Sequence, residues 1–330
     1  MELVIFIVLL VLGFVTLSLE SSNLLKFLYV PCLLIFIIVV RLSGFDEDII
    51  TYAKEMHATS FHIYYVREFV FWFTLRFLYS LIHNELLVFI VLDFIWIFTL
   101  FRIQRNIIID GKRFEKGLIV VLFTCFPFLF GYENIYRQFF ATIFLLYSYS
   151  VIESNHKKGI GLFIFSFFIH NIVVLMLPIF IVKVFFRFKL HDRITSAIIL
   201  CFLFVLSLSL LVHLKSSHPT GLDMSFAYLV LFFAVSTIAL ISFRDNIYNL
   251  FKNIPSLLCS FILLLGLVNL DADMISERLG MMFIVFLIFD VYKYSISVKS
   301  VINRRLLRVA LLLALSIPVF LFESSMKFLM

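Results

Sequence analysis

The sequence predicts an all-α, polytopic integral membrane protein with about twelve membrane segments, if each span takes about 20 residues. Hydrophobic residues make up 63% of the 330 residues, and charged residues only 15%. The mean hydropathy is +1.11. Lys and Arg are concentrated in short stretches between long apolar runs, so the net charge of +6 indicates topology and not a nucleic-acid partner.

Ten apolar runs have the length of membrane helices. They cover residues 3–19, 24–40, 86–101, 118–130, 135–152, 194–212, 226–243, 255–270, 279–292 and 306–322. The first run lacks a basic start and a small-residue cleavage site, which indicates a retained helix. The four cysteines lie far apart within apolar runs, so we expect neither a disulfide nor a metal site from them.

The charge of the loops orients these runs. Basic stretches are expected on the cytoplasmic side; they are 102–116, 155–158, 183–193, 244–252 and 293–308. Since 155–158 and 183–193 are both placed inside, the apolar stretch 159–186 must enter the membrane and return. It is therefore predicted to be a helical hairpin or re-entrant pair, broken near His170.

The polar stretch 41–68 is predicted to be an acidic loop on the outer face. The apolar segment 69–82 after it contains Arg76 and is expected to lie along the outer interface, anchored by Trp72 and Tyr79. Both termini are then outside. If 69–82 spans the bilayer instead, the acidic loop becomes cytoplasmic. Residues 1–330 are predicted to form a single transmembrane domain.

Arg137 stands at the mouth of the apolar run 135–152. An arginine at mid-bilayer costs about 2.5–3.5 kcal/mol on insertion scales, so it usually faces a cavity, a partner or the interface. A snorkelling interfacial arginine is the alternative. The predicted topology gathers a set of polar residues at or near the outer face: Asp46, Asp48, Tyr52, Glu68, Arg137, Gln138, His170 and Arg278.

These residue types suit transfer from a lipid diphosphate. Arginine binds phosphate oxygens bidentately, and a carboxylate or histidine can take a proton from an incoming hydroxyl. Each also has a structural alternative, with His170 as a helix-breaking polar contact and Asp46 and Asp48 as solvated loop acids. Asp93 and Asp290 are interpreted as structural partners or cytoplasmic-end charges. No P-loop, G-x-G-x-x-G or H-E-x-x-H pattern occurs, so nucleotide hydrolysis and zinc chemistry have no support.

Several motifs resemble the bacterial O-antigen and exopolysaccharide polymerases of the Wzy and EpsG-like kind. The stretch from Asn134 to Ala141 resembles the family's N-x-x-R-Q-x-x-A. Residues 168–173 resemble its F-x-H-x-S-A stretch, with Ile172 at the serine position. Residues 44–52 resemble its G-x-D-Y-x-x-Y loop, in which either Asp46 or Asp48 fits. Glu68 resembles the glutamate of its E-P pair, and Arg278 stands where a late-helix arginine is common.

The resemblance implies a glycosyltransferase of lipopolysaccharide biosynthesis in the bacterial inner membrane. Such an enzyme joins undecaprenyl-diphosphate-linked oligosaccharides into polysaccharide at the periplasmic face, so segment 41–85 becomes a periplasmic loop with an interfacial helix. His170, Asp46 or Asp48 would be the base. Arg137, Gln138, Arg278, Tyr52 and Glu68 would bind substrate. No cofactor or metal is implied, and a chain-length regulator and a flippase are candidate protein partners alongside membrane lipids.

Two other functions fit part of the same pattern. A flippase for lipid-linked oligosaccharides would also hold arginines in an outward polar cavity. The chain has only 10 glycines and no matching broken helices in its two halves, which disfavours such a carrier. A ligase that joins finished polymer to lipid A core shares much of the chemistry, but the motifs match the polymerases better.

Overall fold

The computed structural model describes most of the chain as helix, which confirms the all-α class. The described residues are 1–44, 47–58, 66, 68–109, 112–113, 117–185, 190–213, 224–243, 247, 250, 254–269, 273–298, 300–322, 326 and 328–330. They form two compact units. The first unit comprises Met1–Val174 and Ser316–Met330, and the second comprises Leu175–Leu315.

The first unit contains nine helices among its described residues and one very short hairpin. The helices are α1 (Glu2–Leu19), α2 (Ser22–Ser43), α3 (Glu47–Met56), α4 (Phe69–Ile82), α5 (Glu85–Arg105), α6 (Leu118–Thr124), α7 (Phe126–Asn134), α8 (Tyr136–Val151) and α9 (His156–Ile169). The hairpin pairs β1 (Ile108–Ile109) with β2 (Lys112–Arg113). A 3-10 segment, Asn171–Met176, follows α9 and runs into the second unit.

Among the residues that the structure describes, four helical stretches are long and apolar enough to cross a membrane, judged by length and composition. They are Glu2–Leu19, Ser22–Ser43, Glu85–Arg105 and Arg278–Ser297. Shorter apolar helical segments within the described residues are Phe69–Ile82, Asn171–Val184, Ile194–Leu206, Ala227–Ser242 and Ser256–Gly266. This agrees with a polytopic membrane protein, while the count of twelve segments stays a prediction.

The predicted run 118–130 is two helices instead of one. Cys125 adopts an extended backbone with φ −79° and ψ 141°, and Pro127 stands in the first turn of α7. Proline is tolerated there because the first N–H groups of a helix have no intrahelical partner. A second break at Ile135 (φ −134°, ψ 49°) separates α7 from α8, so Arg137 lies in the first turn of a new helix.

Aromatic side chains build the core of the first unit. Trp96 on α5 is fully buried, and its ring lies 5.3 to 6.2 Å from the rings of Phe123, Phe128, Tyr132 and Phe139. Most of these pairs are edge-to-face, the arrangement that the ring quadrupole favours. The packing joins α5 to α6, α7 and α8, and thus supports the helix start that carries Arg137.

The region predicted as an outer loop is largely helical where it is described. Arg41 is not a loop residue but belongs to the last turn of α2, where it is 3% exposed. Arg41 can be buried because its charge is paired with Asp93 on α5. Residues 47–56 form α3, which packs along α4. The 14-residue α4 is about 21 Å long, which is short for a crossing, so its interfacial placement stays a prediction.

The helix break at His170 lies where the sequence indicated it. The α9 helix ends at Ile169, and His170 has an extended backbone (φ −154°, ψ 124°). The arm before the break belongs to the first unit and the arm after it to the second. The return of the two arms as a hairpin therefore stays a prediction.

The second unit is also helical, with α10 (Leu177–Phe185), α11 (Leu190–His213), α12 (Met224–Ser242), α13 (Pro255–Asn269), α14 (Asp273–Tyr294) and most of α15 (Val301–Leu321). Helix α14 packs on α12 and α13. At Gly280 a Cβ atom would collide with the ring of Tyr228, so the glycine permits close approach of α14 and α12. Asp290 accepts a 2.6 Å hydrogen bond from Ser256, which makes it a structural partner, one of its two predicted roles.

Candidate functional site

Glu68 is the centre of a buried ionisable cluster in the first unit. It immediately precedes α4, and its side chain is 3% exposed. One carboxylate oxygen lies 2.8 Å from Nη1 of Arg137, and the other lies 3.2 Å from Nδ1 of His170. The structure therefore brings together three predicted site residues. They come from three distant parts of the chain.

Arg137 is held by rings as well as by Glu68. Its guanidinium carbon lies 5.2 Å from the ring centroid of Trp72 and 5.9 Å from that of Tyr52. A cation over an aromatic face in a desolvated site gains about 2 kcal/mol. Since the side chain of Arg137 is only 13% exposed, its charge is stabilised inside the protein and not by snorkelling.

His170 has two neighbours that compete for one nitrogen. The backbone N–H of Ile172 lies 3.2 Å from Nδ1, and so does the Glu68 carboxylate. If Nδ1 accepts from Ile172, a neutral ring carries its proton on Nε2. If Nδ1 carries the proton instead, it donates to Glu68 and Nε2 becomes the basic nitrogen. The second tautomer is the one suited to proton transfer.

Two residues of α3 border the cluster. The hydroxyl of Tyr52 donates to Asp48, one helical turn earlier, at 3.2 Å. The Tyr52 ring is buried edge-to-face against Trp72 at 5.7 Å. Asp48 is therefore linked to the ring that contacts Arg137. Asp46, the other aspartate that fits the loop motif, lies outside the described residues.

The remaining predicted residues are Gln138 and Arg278. Gln138 follows Arg137 on α8 and is 3% exposed, and its backbone carbonyl accepts from the Thr142 hydroxyl at 2.7 Å. Arg278 is a half-buried residue of α14 in the second unit. The cluster around Glu68 is built from the first unit alone.

Asp93 is a site residue whose importance the sequence did not reveal. Its fully buried carboxylate accepts hydrogen bonds from three kinds of donor: the Arg41 guanidinium at 2.7 and 3.1 Å, the Trp96 indole at 2.9 Å, and the hydroxyls of Tyr132 and Tyr136 at 3.2 and 2.8 Å. Buried charges need such partners. A structural role was one of the two interpretations of Asp93, and it is the observed one.

The Asp93 cluster is adjacent to the Glu68 cluster, because Tyr136 immediately precedes Arg137 in α8. The Arg41 guanidinium also lies 4.9 Å from the Tyr136 ring and 4.5 Å from the Tyr132 ring. The start of α8 is thus held by two buried carboxylates: Asp93 binds Tyr136, and Glu68 binds Arg137. One feature of the sequence could have predicted this pair: Arg41 and Asp93 are opposite charges that lie inside or at the end of apolar runs.

The match to a family model decides the family. The model, described as the EpsG family, matches residues 24–328. The chain belongs to the EpsG family. The matched EpsG region includes every residue of both clusters, and it confirms the resemblance drawn from the motifs. No curated protein and no solved structure gave a significant match.

EpsG membership and the apolar helices together indicate a membrane protein with a polysaccharide polymerase-like role in polysaccharide biosynthesis. A glycosyltransferase-like activity is the coarse function that this family supports. Within the described residues, no three His, Cys, Asp or Glu side chains gather as ligands for a metal ion.

Proposed function

We propose that this chain is an O-antigen or exopolysaccharide polymerase that joins oligosaccharide units carried on undecaprenyl diphosphate. The observation that carries the proposal is the buried contact of Glu68 with both Arg137 and His170 in a member of the EpsG family. Charged groups inside an apolar bundle are costly and are usually retained for function. The loop charges predict that the active face is the outer one, and the family resemblance implies that this is the periplasmic side of the inner membrane.

The reaction is transfer of a growing glycan to a hydroxyl of the next lipid-linked unit. The acceptor oxygen attacks the anomeric carbon of the donor glycan, and the bond between that carbon and the phosphate oxygen breaks. The lipid diphosphate leaves with the electron pair, while the acceptor proton passes to a base. Negative charge therefore grows on the leaving group, and the base becomes protonated.

Arg137 has the chemistry to stabilise the leaving diphosphate. A guanidinium has five N–H donors, so one group can contact a carboxylate and phosphate oxygens together. Stabilisation of developing charge by a fixed donor is worth about 3–4 kcal/mol where it has been measured. We assign substrate contacts to Tyr52 and Gln138. The motif resemblance assigns diphosphate binding to Arg278 as well.

His170 is our first choice of base, with Glu68 as the residue that orients it. With Nδ1–H donating to Glu68, Nε2 is the basic nitrogen that takes the proton of the acceptor hydroxyl, and the carboxylate stabilises the resulting imidazolium. Asp48 and Asp46 are the alternative bases. The rates of polymer formation by Asp48→Asn and His170→Gln distinguish these bases, because the change that removes the true base lowers the rate more.

The surface polysaccharide of cells lacking this chain tests the function. We expect a silver-stained lipopolysaccharide gel to show core plus one repeat in the null strain and a ladder after complementation with the wild type. Arg137→Ala at matched membrane expression should fail to restore the ladder, whereas Arg105→Ala, on a basic segment remote in sequence, should restore it. A null strain with core and no repeat would indicate a flippase or ligase. An unchanged ladder in the null would overturn the proposal.

A further inference from the structure

A cleft of about 470 Å³ lies in the first unit, at the end of α2 and the turn between α4 and α5. Its lining includes Arg41, Leu42, Tyr79, His83, Asn84 and Glu85. None of these residues belongs to the Glu68 cluster. The lining mixes hydrogen-bonding groups with aromatic rings, so it differs from the apolar packing of the surrounding helices.

The guanidinium charge in the cleft lining is already paired with a carboxylate. The Arg41 guanidinium is paired with Asp93, and Glu85 lies in hydrogen-bond contact with His57. A diphosphate would find no unbalanced positive charge here. The cleft is therefore suited to an uncharged, polar ligand.

The lining groups match what a sugar ring presents. Arg41 uses Nε and Nη2 on Asp93, and no hydrogen bond joins its third nitrogen, Nη1, to a described residue. Asn84 and Glu85 add amide and carboxylate groups that can bind hydroxyls. The half-buried Tyr79 and the exposed His83, with ring centroids 6.2 Å apart, offer aromatic surface to the apolar face of a sugar.

Helix α3 connects this cleft with the Glu68 cluster. Its Tyr52 contacts Trp72, and its Glu55 lies 3.7 Å from Arg76. His57, which follows the helix, packs edge-to-face against Tyr79 with ring centroids 4.6 Å apart. Trp72, which contacts Arg137, and Tyr79, which lines the cleft, are two turns apart on α4, a rise of about 10 Å. A ligand with several sugar units can bridge such a distance.

We infer that this cleft is a second binding subsite, which holds an uncharged sugar of the glycan while another part of it reacts at Arg137. The inference rests on the proposed function for the identity of the glycan. Arg41 gives the subsite a physical link to the reacting site, because it binds Asp93 and Asp93 binds Tyr136 beside Arg137.

Kinetics of the full-length chain in lipid vesicles test the subsite. The substrate is the lipid-linked repeat unit extracted from cells that lack this chain. Tyr79→Ala removes the ring, and Leu42→Trp fills the cleft from an exposed position. Each should raise KM about tenfold with kcat changed less than about twofold, since loss of uniform binding raises KM alone. Phe77→Ala, at an exposed position of the same helix outside the cleft lining, is the matched control.

The outcomes separate the two proposals. Unchanged KM in both cleft variants, with Arg137→Ala inactive, would overturn the subsite and leave the polymerase assignment standing. Activity retained by Arg137→Ala would instead overturn the role of Arg137, and no polymer from the wild type would overturn the polymerase assignment. A direct titration then still tests the cleft, with the repeat-unit oligosaccharide released from its lipid as the probe. Binding that is about tenfold weaker in Tyr79→Ala and unchanged in Phe77→Ala supports the subsite. Equal binding by all three proteins overturns it.

Discussion

The Arg41 guanidinium donates two hydrogen bonds to the Asp93 carboxylate, from Nε at 2.7 Å and from Nη2 at 3.1 Å. The two residues are 52 positions apart, and both are almost completely buried. The pair joins the end of α2 to the middle of α5. Through Tyr132 and Tyr136 it also joins both helices to the start of α8, where Arg137 lies.

Changing Asp93 to Ala should destabilise the protein strongly. Removal of one partner leaves the other charge buried and uncompensated, which costs about 3–5 kcal/mol. The midpoint of unfolding in detergent measures the loss. Replacing both residues, as in Arg41→Met with Asp93→Leu, should recover a large part of the stability because no lone charge remains. Equal loss in the single and double variants would contradict a charge-pairing role.

Tyr136→Phe tests whether the Asp93 cluster positions Arg137. The change removes one hydroxyl that donates to a carboxylate, and a hydrogen bond to a charged group contributes about 1.5–3 kcal/mol. We expect a moderate fall in stability together with a fall in kcat, because the start of α8 loses an anchor. Tyr147→Phe, on the same helix with its hydroxyl bonded to Lys158, is the control and should leave kcat unchanged. A stability loss with unaltered kcat would show that the cluster is only structural.

Glu68→Gln should abolish most activity while retaining the shape of the side chain. The amide has no charge to hold Arg137 or to stabilise a protonated His170. General base catalysis contributes about 10²–10⁴-fold, and the rate of polymer formation should fall by a factor in that range. Glu55→Gln removes a carboxylate that pairs with Arg76 at 3.7 Å and should have little effect. Comparable rates for the two variants would remove Glu68 from the mechanism.

Two glycines should respond in opposite ways to alanine. At Gly280 the new Cβ would collide with the Tyr228 ring, so Gly280→Ala should lower the free energy of unfolding by about 1–3 kcal/mol. At Gly161 a Cβ would meet no atom within 4 Å. Since alanine is a better helix former, Gly161→Ala should raise stability by up to about 1 kcal/mol. Thermal unfolding of both variants tests the packing of α12 against α14, and a stable Gly280→Ala protein would contradict it.

Much of the helical framework was predictable, because long apolar runs in lipid have few structural solutions. The runs 3–19, 24–40 and 86–101 correspond to α1, α2 and α5. The run 118–130 was predicted as one helix, since hydropathy cannot detect the extended backbone at Cys125. Hydropathy also could not show that Arg41 is buried, because its burial depends on a partner in another helix.

The candidate site was predictable where motifs marked it. Glu68, Arg137 and His170 were named from the sequence, and the structure brings them together. Asp93 was not recognised as the organiser beside them, because four of its five donor atoms come from other helices and their proximity is determined by tertiary packing. Periodicity and loop charge report which face a residue occupies, and they carry no information on such pairings.

Polymerisation by the purified chain tests the central claim most directly. The full-length protein in lipid vesicles would be given lipid-linked repeat units from cells that lack it, and the products would be sized on a gel. We predict glycans of two or more units with the wild type and with Arg105→Ala, and a rate reduced by at least about 100-fold with Arg137→Ala, the loss expected for a removed charge-stabilising donor. Polymer formed equally well by Arg137→Ala, at equal protein and with intact folding, would contradict the account.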